Sequence, residues 1–486
     1  MVNAPPFKLG CLAVIHYFLG LSMFSGFSVV NIPSTLMKNF IRYSYFSNYG
    51  RPLTDSALDW LWSVVVMLPA LGAVVGALPL PYLVDRLGRR NVLMIHNSLI
   101  VIVGSALAFS CRHFDRFELM LTGRFILGIS VGFSMFVPPF VMECSPNYCR
   151  GMLAAGFGVG AFFWVCVGNL ISLPELLGTA ELWHFLLAFP ALPALVYLMA
   201  SPLVRKSPKF LFVQRNDPDA AEEALRFYHG QNGEPAKALK EFAREAEQAD
   251  GTVKLRNVWR QPHLRWPVLI VGVAASVSTL CGAEICTSYG AIVFRSLNFG
   301  DRAVNLGVVI SSAPPVVFAA VSVILVEKYG RRNIVLASLA TGILSMTLFM
   351  FSYAICEGTV TRYVAGFAAL TLSSLASTVS SCVLASLSGE LVPQGIRAKV
   401  GSLFVICNWG PAICVSSFFN VLEKTIGAFS YAPFLASGAL VWWFLYKTLP
   451  ETRNRSVDEI VEDFKTKNNK EEVLENGEQN VYVIRF

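Results

Sequence analysis

Charged residues are scarce in this sequence. Asp, Glu, Lys and Arg make up only 15% of the 486 residues, whereas soluble globular domains carry about 25%. Hydrophobic residues account for 54% of the chain, and the mean hydropathy is +0.55. A soluble domain could not bury that much apolar surface, so the composition excludes a soluble globular fold.

The residue patterns of metal, nucleotide and catalytic sites are also missing. The six histidines have no ligand spacing, and the eleven cysteines include no CxxC pair. No HExxH and no GxxxxGK[ST] motif occurs, which argues against a metallopeptidase and an ATP-driven pump. We therefore expect no enzyme activity, no cofactor and no metal. The net charge of +7 reflects where Lys and Arg lie along the chain and does not indicate nucleic-acid binding.

What the sequence has in abundance is long apolar runs separated by clusters of charge. Each run is long enough to cross a bilayer as a helix. We predict twelve spans, at 9–33, 58–82, 92–111, 118–142, 152–174, 183–204, 266–294, 303–326, 333–355, 364–388, 399–421 and 428–448. The chain is thus predicted to be an all-α membrane protein whose surroundings are the lipid bilayer.

The distribution of Lys and Arg predicts the orientation of these spans. If both termini are cytoplasmic, most of the Lys and Arg residues lie on the cytoplasmic side, which is the usual bias of membrane proteins. We divide the chain into a first transmembrane half (1–204), a cytoplasmic linker (205–265), a second transmembrane half (266–448) and a cytoplasmic tail (449–486). The linker segment 217–230 is predicted to form a helix capped by Asp217. The last residues, VIRF, could bind a partner weakly by strand addition or remain a solvated tail.

The two halves share charged motifs in the same order. Each motif recurs at a spacing of roughly 245 residues, which indicates a duplicated six-span unit. The pairs are DRLGRR (85–90) with EKYGRR (327–332), ECSPNYCR (143–150) with ELVPQGIR (390–397), and RKSPK (205–209) with PETRN (450–454). Duplicated halves that enclose a site near the membrane midplane are typical of alternating-access carriers.

The repeated charges lie at the cytoplasmic ends of predicted spans. Carboxylates and guanidiniums at neighbouring helix ends can form bidentate pairs. Pairs that form only when this side is closed would stabilise the closed state; the alternative is simple anchoring of the helix ends. The candidate cytoplasmic gate consists of Asp85, Arg89, Arg90, Glu143 and Arg150, and of Glu327, Arg331, Arg332, Glu390 and Arg397 in the second half.

Four stretches of the sequence resemble the sugar porter family of the major facilitator superfamily, and the facilitative glucose transporters in particular. They are GRFILGISVGFSMFVPPFVMECSPNYCRG (123–151), VNIP (30–33), NWGP (408–411) and PETRN (450–454). The resemblance covers about 10 to 460. It implies the major facilitator fold, with twelve helices in two pseudo-symmetric six-helix halves. It also implies a multi-pass protein of the plasma membrane that carries a hexose or a related polyol.

The same resemblance shows where the sugar site departs from the family. The family's seventh span carries Q-Q-L-S-G-x-N; here Ser278 and Thr279 replace the glutamines, and Glu284 replaces the asparagine. Asn408 and Trp409 match the family, and Tyr289 matches an outer tyrosine of span seven. These six residues form the candidate substrate-binding set. The first-span Asp of proton-linked sugar porters corresponds to Gly26.

Glu284 has three interpretations at this point. It could be a solvated acid in an outer vestibule, a substrate contact, or a proton-coupling group whose charge changes during transport. Three functions remain open accordingly. The first is a facilitative carrier of a hexose or polyol; the second is a proton-linked carrier or a carrier of a non-sugar solute; the third is a nutrient sensor that does not transport.

Overall fold

The computed structural model describes residues 6–146, 148–230, 235–249, 261–282, 284–355, 360–392, 394–452, 459–460 and 462–464. Within this part of the chain, every regular element is helical. Ten helices are long and apolar enough to cross a membrane. The last of them, Val400–Thr448, has 49 residues and covers two crossings, because a 3-10 turn at Gly427–Tyr431 divides it. A broken helix from Pro262 to Ser296 supplies the remaining span, so the prediction of twelve spans is confirmed.

The first half contains spans 1 to 6. Spans 1, 3, 4 and 6 are each built from two or more consecutive helical pieces. The six spans are Phe7–Ser28, Asp55–Ala77, Asn91–Ser110, Phe117–Cys144, Arg150–Ile171 and Trp183–Leu203. A surface helix, Ser34–Tyr49, joins spans 1 and 2; it was not predicted, because its apolar and polar residues alternate too irregularly to stand out beside the spans.

The second half contains spans 7 to 12. Span 7 consists of Pro262–Ala275, Val277–Leu280, the π-helical turn Ile285–Tyr289 and Gly290–Ser296. Spans 8 to 12 are Asp301–Tyr329, Arg331–Ala354, Val360–Glu390, Gln394–Ile426 and Ala432–Thr448. Pro314 and Pro315 lie within the helix of span 8.

Span 7 is broken, whereas the sequence predicted a continuous helix over 266–294. The first part ends at Leu280, and Gly282 adopts a left-handed backbone with φ +89°. A side chain at Gly282 would also collide with Met346 and Ser373, since a Cβ there would lie 2.3 Å from the Met346 Cε atom. Glycine is therefore required at this position. The break places Glu284 at the start of the next helical turn.

The faces of the bundle are named from the chain's path. We call the face that holds the start of span 1 at Phe7, the end of span 12 at Thr448 and the linker helices the terminal face, and the other the opposite face. Between the halves, span 2 packs against span 11 and span 5 against span 8. Exchanging the halves converts one of these pairs into the other, as expected for duplicated units.

The linker lies on the terminal face as three helices, Pro208–Val213, Pro218–His229 and Pro235–Ala249. The middle one confirms the prediction for 217–230. The carboxylate of Asp217 accepts a hydrogen bond of 3.0 Å from the backbone N–H of Ala220, and Pro218 occupies the first turn. An aspartate cap followed by proline favours a helix start. The aspartate accepts a hydrogen bond from one of the free N–H groups of the first turn, and the proline has no N–H group that would need a partner.

Candidate functional site

Glu284 is buried between spans 7 and 11. Only 4% of the residue is exposed, so the structure does not support the interpretation as a solvated acid. Its Oε1 atom accepts two hydrogen bonds of 2.9 Å, one from the hydroxyl of Ser288 and one from the hydroxyl of Ser416. The Tyr289 hydroxyl donates to the backbone oxygen of Ser416 at 2.6 Å. Ser416 of span 11 thus connects two of the residues that the sequence selected.

Arg124 of span 4 is a buried cation and the candidate partner of this acid. It is 1% exposed. Its Nε atom donates to the Val65 carbonyl at 2.7 Å, and its Nη1 atom donates to the Gly26 carbonyl at 2.8 Å. Its Nη2 atom is buried and has no hydrogen-bond partner. Its acceptor Gly26 belongs to the piece of span 1, Ser25–Ser28, that packs against the turn Ile285–Tyr289, which follows Glu284 of the other half.

The remaining candidate residues lie along spans 7 and 11. The hydroxyls of Ser278 and Ser381 are 2.9 Å apart. The Thr279 hydroxyl donates to the backbone carbonyl of Asn408 at 3.2 Å. Ser278 and Thr279 are 8% and 5% exposed. The indole of Trp409 stacks on Phe27 of span 1, with ring centroids 5.2 Å apart. An aromatic pair thus bridges the two halves beside these polar groups.

An ionic bridge joins the halves at the opposite face, and sequence reasoning missed it. The carboxylate of Asp59 in span 2 pairs with Lys38 at 3.1 Å and with Lys424 of span 11 at 2.6 Å. Asp59 and Lys38 are mostly buried, with side chains 13% and 17% exposed. Burial lowers the pKa of the Lys38 amine, and the hydrogen bond to Asp59 opposes that shift. No repeated motif marks these three residues, so the bridge could not be predicted from the sequence.

A second set of contacts at this face joins span 7 to the end of span 1. Asn31 accepts a hydrogen bond of 2.9 Å from the backbone N–H of Ala291. The guanidinium of Arg295 donates to the Ser34 hydroxyl at 2.9 Å and to the Ile32 carbonyl at 3.1 Å. In the sequence, residues 30–33 stand out only by their family resemblance. The structure places them against the far end of the broken span.

Three of the candidate gate residues of the first half form one network at the terminal face. Arg89 pairs with Glu143 at 3.2 Å and with Asp85 at 3.6 Å, and its guanidinium lies 5.8 Å from the Phe210 ring centroid. The Ser207 hydroxyl of the linker donates to Glu143. Burial raises the pKa of the Asp85 carboxyl, while Arg89 opposes the shift. These contacts connect spans to the linker within one half.

The other candidate gate residues contact backbone or tail groups. Arg90 donates to the Ser201 carbonyl at 3.0 Å, and Arg150 donates to the Ser145 carbonyl at 3.4 Å. In the second half, Arg332 donates to the Tyr446 carbonyl at 2.7 Å. The backbone N–H of Arg331 donates to Glu451 at 3.0 Å. The side chains of Glu327, Glu390 and Arg397 lie outside the described residues.

The fold and these motifs agree with comparisons to known proteins. The family model for "Sugar (and other) transporter" matches residues 12–464. The chain belongs to the sugar transporter family. In the described part of this family member, no group of three His, Cys, Asp or Glu side chains could hold a metal ion.

Two relatives and one solved structure illustrate the similarity. Facilitated glucose transporter protein 1 of Caenorhabditis elegans is 28% identical over 93% of this chain and 91% of its own length. Facilitated glucose transporter member 3 of Ovis aries is 28% identical over 90% and 88%. The structure of the major facilitator proton:xylose symporter XylE bound to 6-bromo-6-deoxy-D-glucose aligns with a TM-score of 0.76 and 21% identity, over 93% of this chain and 98% of that one. The major facilitator fold is confirmed.

Proposed function

We propose that this sugar transporter family member is a facilitative carrier for a hexose or a related polyol, working by alternating access without a coupled ion. The observation that supports it most directly is the position of Trp409 and Asn408. They lie where span 11 meets span 1, with the indole stacked on Phe27. An aromatic face beside an amide suits a sugar, because the ring's apolar face can stack while its hydroxyls bond to the amide.

The uncoupled mechanism is supported by the surroundings of Arg124. This guanidinium donates a hydrogen bond to the carbonyl of Gly26 in span 1. Gly26 occupies the position that corresponds to an aspartate in proton-linked sugar porters. The proton-linked alternative rests on Glu284, whose burial at 4% exposure makes its charge sensitive to the state of the carrier. A carrier of a non-sugar solute and a non-transporting sensor stay as further alternatives.

Counterflow in proteoliposomes tests the proposal. Vesicles preloaded with unlabelled glucose, fructose or myo-inositol are assayed for uptake of the labelled compound at two pH values. We expect saturable exchange of at least one compound at a rate that does not change with pH. Exchange that rises as the pH falls would favour proton coupling. No exchange by folded protein with any of the three would contradict the hexose or polyol assignment.

Replacing Trp409 with alanine is expected to weaken sugar binding. Stacking of a ring face on an indole contributes about 1 kcal/mol or more, so we expect KM for exchange to rise about fivefold or more. The matched control is Trp409→Phe, which keeps an aromatic face against Phe27 and should retain most of the affinity. Equal KM values in the wild type and in Trp409→Ala would remove Trp409 from the binding site. Initial exchange rates over a range of sugar concentrations give KM for the wild type and for each variant.

The remaining parts of the proposal concern placement. We propose a plasma-membrane protein with both termini in the cytoplasm, so that the terminal face is cytoplasmic and the charged span ends belong to a gate there. The division at 204/205, 265/266 and 448/449 is part of this proposal. The candidate binding motif VIRF lies outside the described residues.

A further inference from the structure

Two charged residues that are buried within the bundle belong to different halves. Arg124 is 1% exposed and Glu284 is 4% exposed. Removing a charge from water is expensive unless an opposite charge or several hydrogen bonds compensate it. Arg124 has two backbone carbonyls as acceptors and one buried Nη2 atom without a partner. Two neutral carbonyls leave its full positive charge to be balanced elsewhere.

No acid of the first half pairs with Arg124 within the described residues: its hydrogen bonds go to carbonyls of spans 1 and 2, and the position beside it in span 1 is Gly26. Glu284 lies just after the break in span 7, and the turn Ile285–Tyr289 that follows it packs against Ser25–Ser28 of span 1, which supplies the Gly26 carbonyl to Arg124. The fold thus brings this acid of the second half towards the guanidinium. The two hydroxyls that donate to Glu284, from Ser288 and Ser416, both meet the same oxygen atom. An ionised carboxylate can accept both of these hydrogen bonds.

We propose that Glu284 is the counter-ion of Arg124 and acts as a positioning residue across the two halves: its fixed negative charge holds the break of span 7 against the wall formed by spans 1, 2 and 4. The attraction between the two charges is strong in a low-dielectric interior and decreases as they move apart. States in which span 7 approaches this wall are therefore favoured. In this role Glu284 keeps its charge throughout the cycle and transfers no proton.

The groups that face Glu284 are consistent with this assignment. Span 4 contributes Arg124, its own helix contributes Ser288 and Tyr289, and span 11 contributes Ser416. Arg124 is the cation among them, and the other three are hydroxyl groups. Span 1 contributes the Gly26 carbonyl to Arg124, so a charge added at residue 26 would lie beside the same guanidinium.

Moving the negative charge from span 7 to span 1 tests the proposal, which rests on the proposed carrier function only for its transport readout. We expect Glu284→Gln to lower the melting temperature in detergent and to slow exchange about tenfold or more, because Arg124 loses its counter-ion. Adding Gly26→Asp should restore much of the melting temperature, because Arg124 regains a counter-ion, but not the exchange rate, because an acid on span 1 cannot attract span 7. A Cβ atom fits there, since at Gly26 it would meet only Leu127, at 3.8 Å.

The matched control is the double variant with Gly26→Asn and Glu284→Gln, which has the same shape at residue 26 and no added charge. It should behave like Glu284→Gln alone. Equal rescue by Asp and Asn, or wild-type stability and exchange in Glu284→Gln, would overturn the proposal. Melting temperatures decide the matter even if none of the tested sugars is carried, so failure of the counter-ion role and failure of the sugar assignment give different results.

Discussion

Replacing Asp59 with alanine is expected to release the opposite face and to shift the carrier towards states open on that side. Asp59 is the acid that both Lys38 and Lys424 contact, and Lys424 belongs to the other half. Charge-assisted hydrogen bonds contribute about 1.5–3 kcal/mol each when buried. The Lys424 side chain is 49% exposed, so its contribution is reduced by solvent screening.

The size of this shift follows from the energy of the contact between halves. A loss of about 1–3 kcal/mol in one state changes the population ratio roughly 5- to 150-fold. The shift can be followed as the distance between two labels on the opposite face. Phe46, 57% exposed, and Phe429, 68% exposed, are suitable positions on the two halves. The labels are best attached through non-canonical amino acids, because the free cysteines Cys11 and Cys414 are exposed.

Asp55 provides the matched control for this experiment. It lies one helical turn before Asp59 in span 2 and pairs with Arg42 of the same half at 2.5 Å. Its side chain is 90% exposed, so Asp55→Ala should leave the distance distribution as in the wild type. If Asp59→Ala also leaves it unchanged, the Asn31 and Arg295 contacts suffice to hold this face, and the Asp59 bridge has no gating role.

The sequence predicted the fold well because the bilayer restricts the solutions. Long apolar runs must become helices in lipid, since every backbone N–H and C=O has to be bonded within its own segment. The duplicated charged motifs then predicted two similar halves. Gly282 and Gly290 predict freedom in span 7, but they do not predict that the helix breaks at Gly282. A glycine within an apolar run signals freedom, whereas the left-handed backbone that requires glycine here depends on the folded chain.

The binding role of the candidate site stays a prediction. Spans 7 and 11, which carry the candidate residues, do pack against each other; the residues are Ser278, Thr279, Glu284, Tyr289, Asn408 and Trp409. What a single sequence could not reveal is which partners lie across the halves. Phe27, Arg124 and Ser416 belong to other spans and look like ordinary core or helix residues in the sequence. Their importance comes from distances that only the packing sets.

Replacing Arg89 with alanine is expected to destabilise the first half at the terminal face. Arg89 is 10% exposed in its side chain and pairs with Glu143, which is 16% exposed. Breaking a buried pair by removing one partner costs about 3–5 kcal/mol, and the residual exposure places our expectation near the lower end, about 3 kcal/mol. The change also removes the cation from the Phe210 ring of the linker. Thermal unfolding in detergent should show a clear fall in the melting temperature.

Arg86 is the control for Arg89, since it lies just before it in the chain, in the helix Leu80–Leu87, and is exposed, with its guanidinium bonded to the Tyr82 hydroxyl at 2.8 Å. Arg86→Ala should leave the melting temperature nearly unchanged. The two label positions on the opposite face also separate the roles of the two ionic networks. Arg89 contacts groups of its own half, so Arg89→Ala should lower stability without the change in distance expected for Asp59→Ala. A changed distance with unchanged stability would instead mean that Arg89 acts between the halves as a gate.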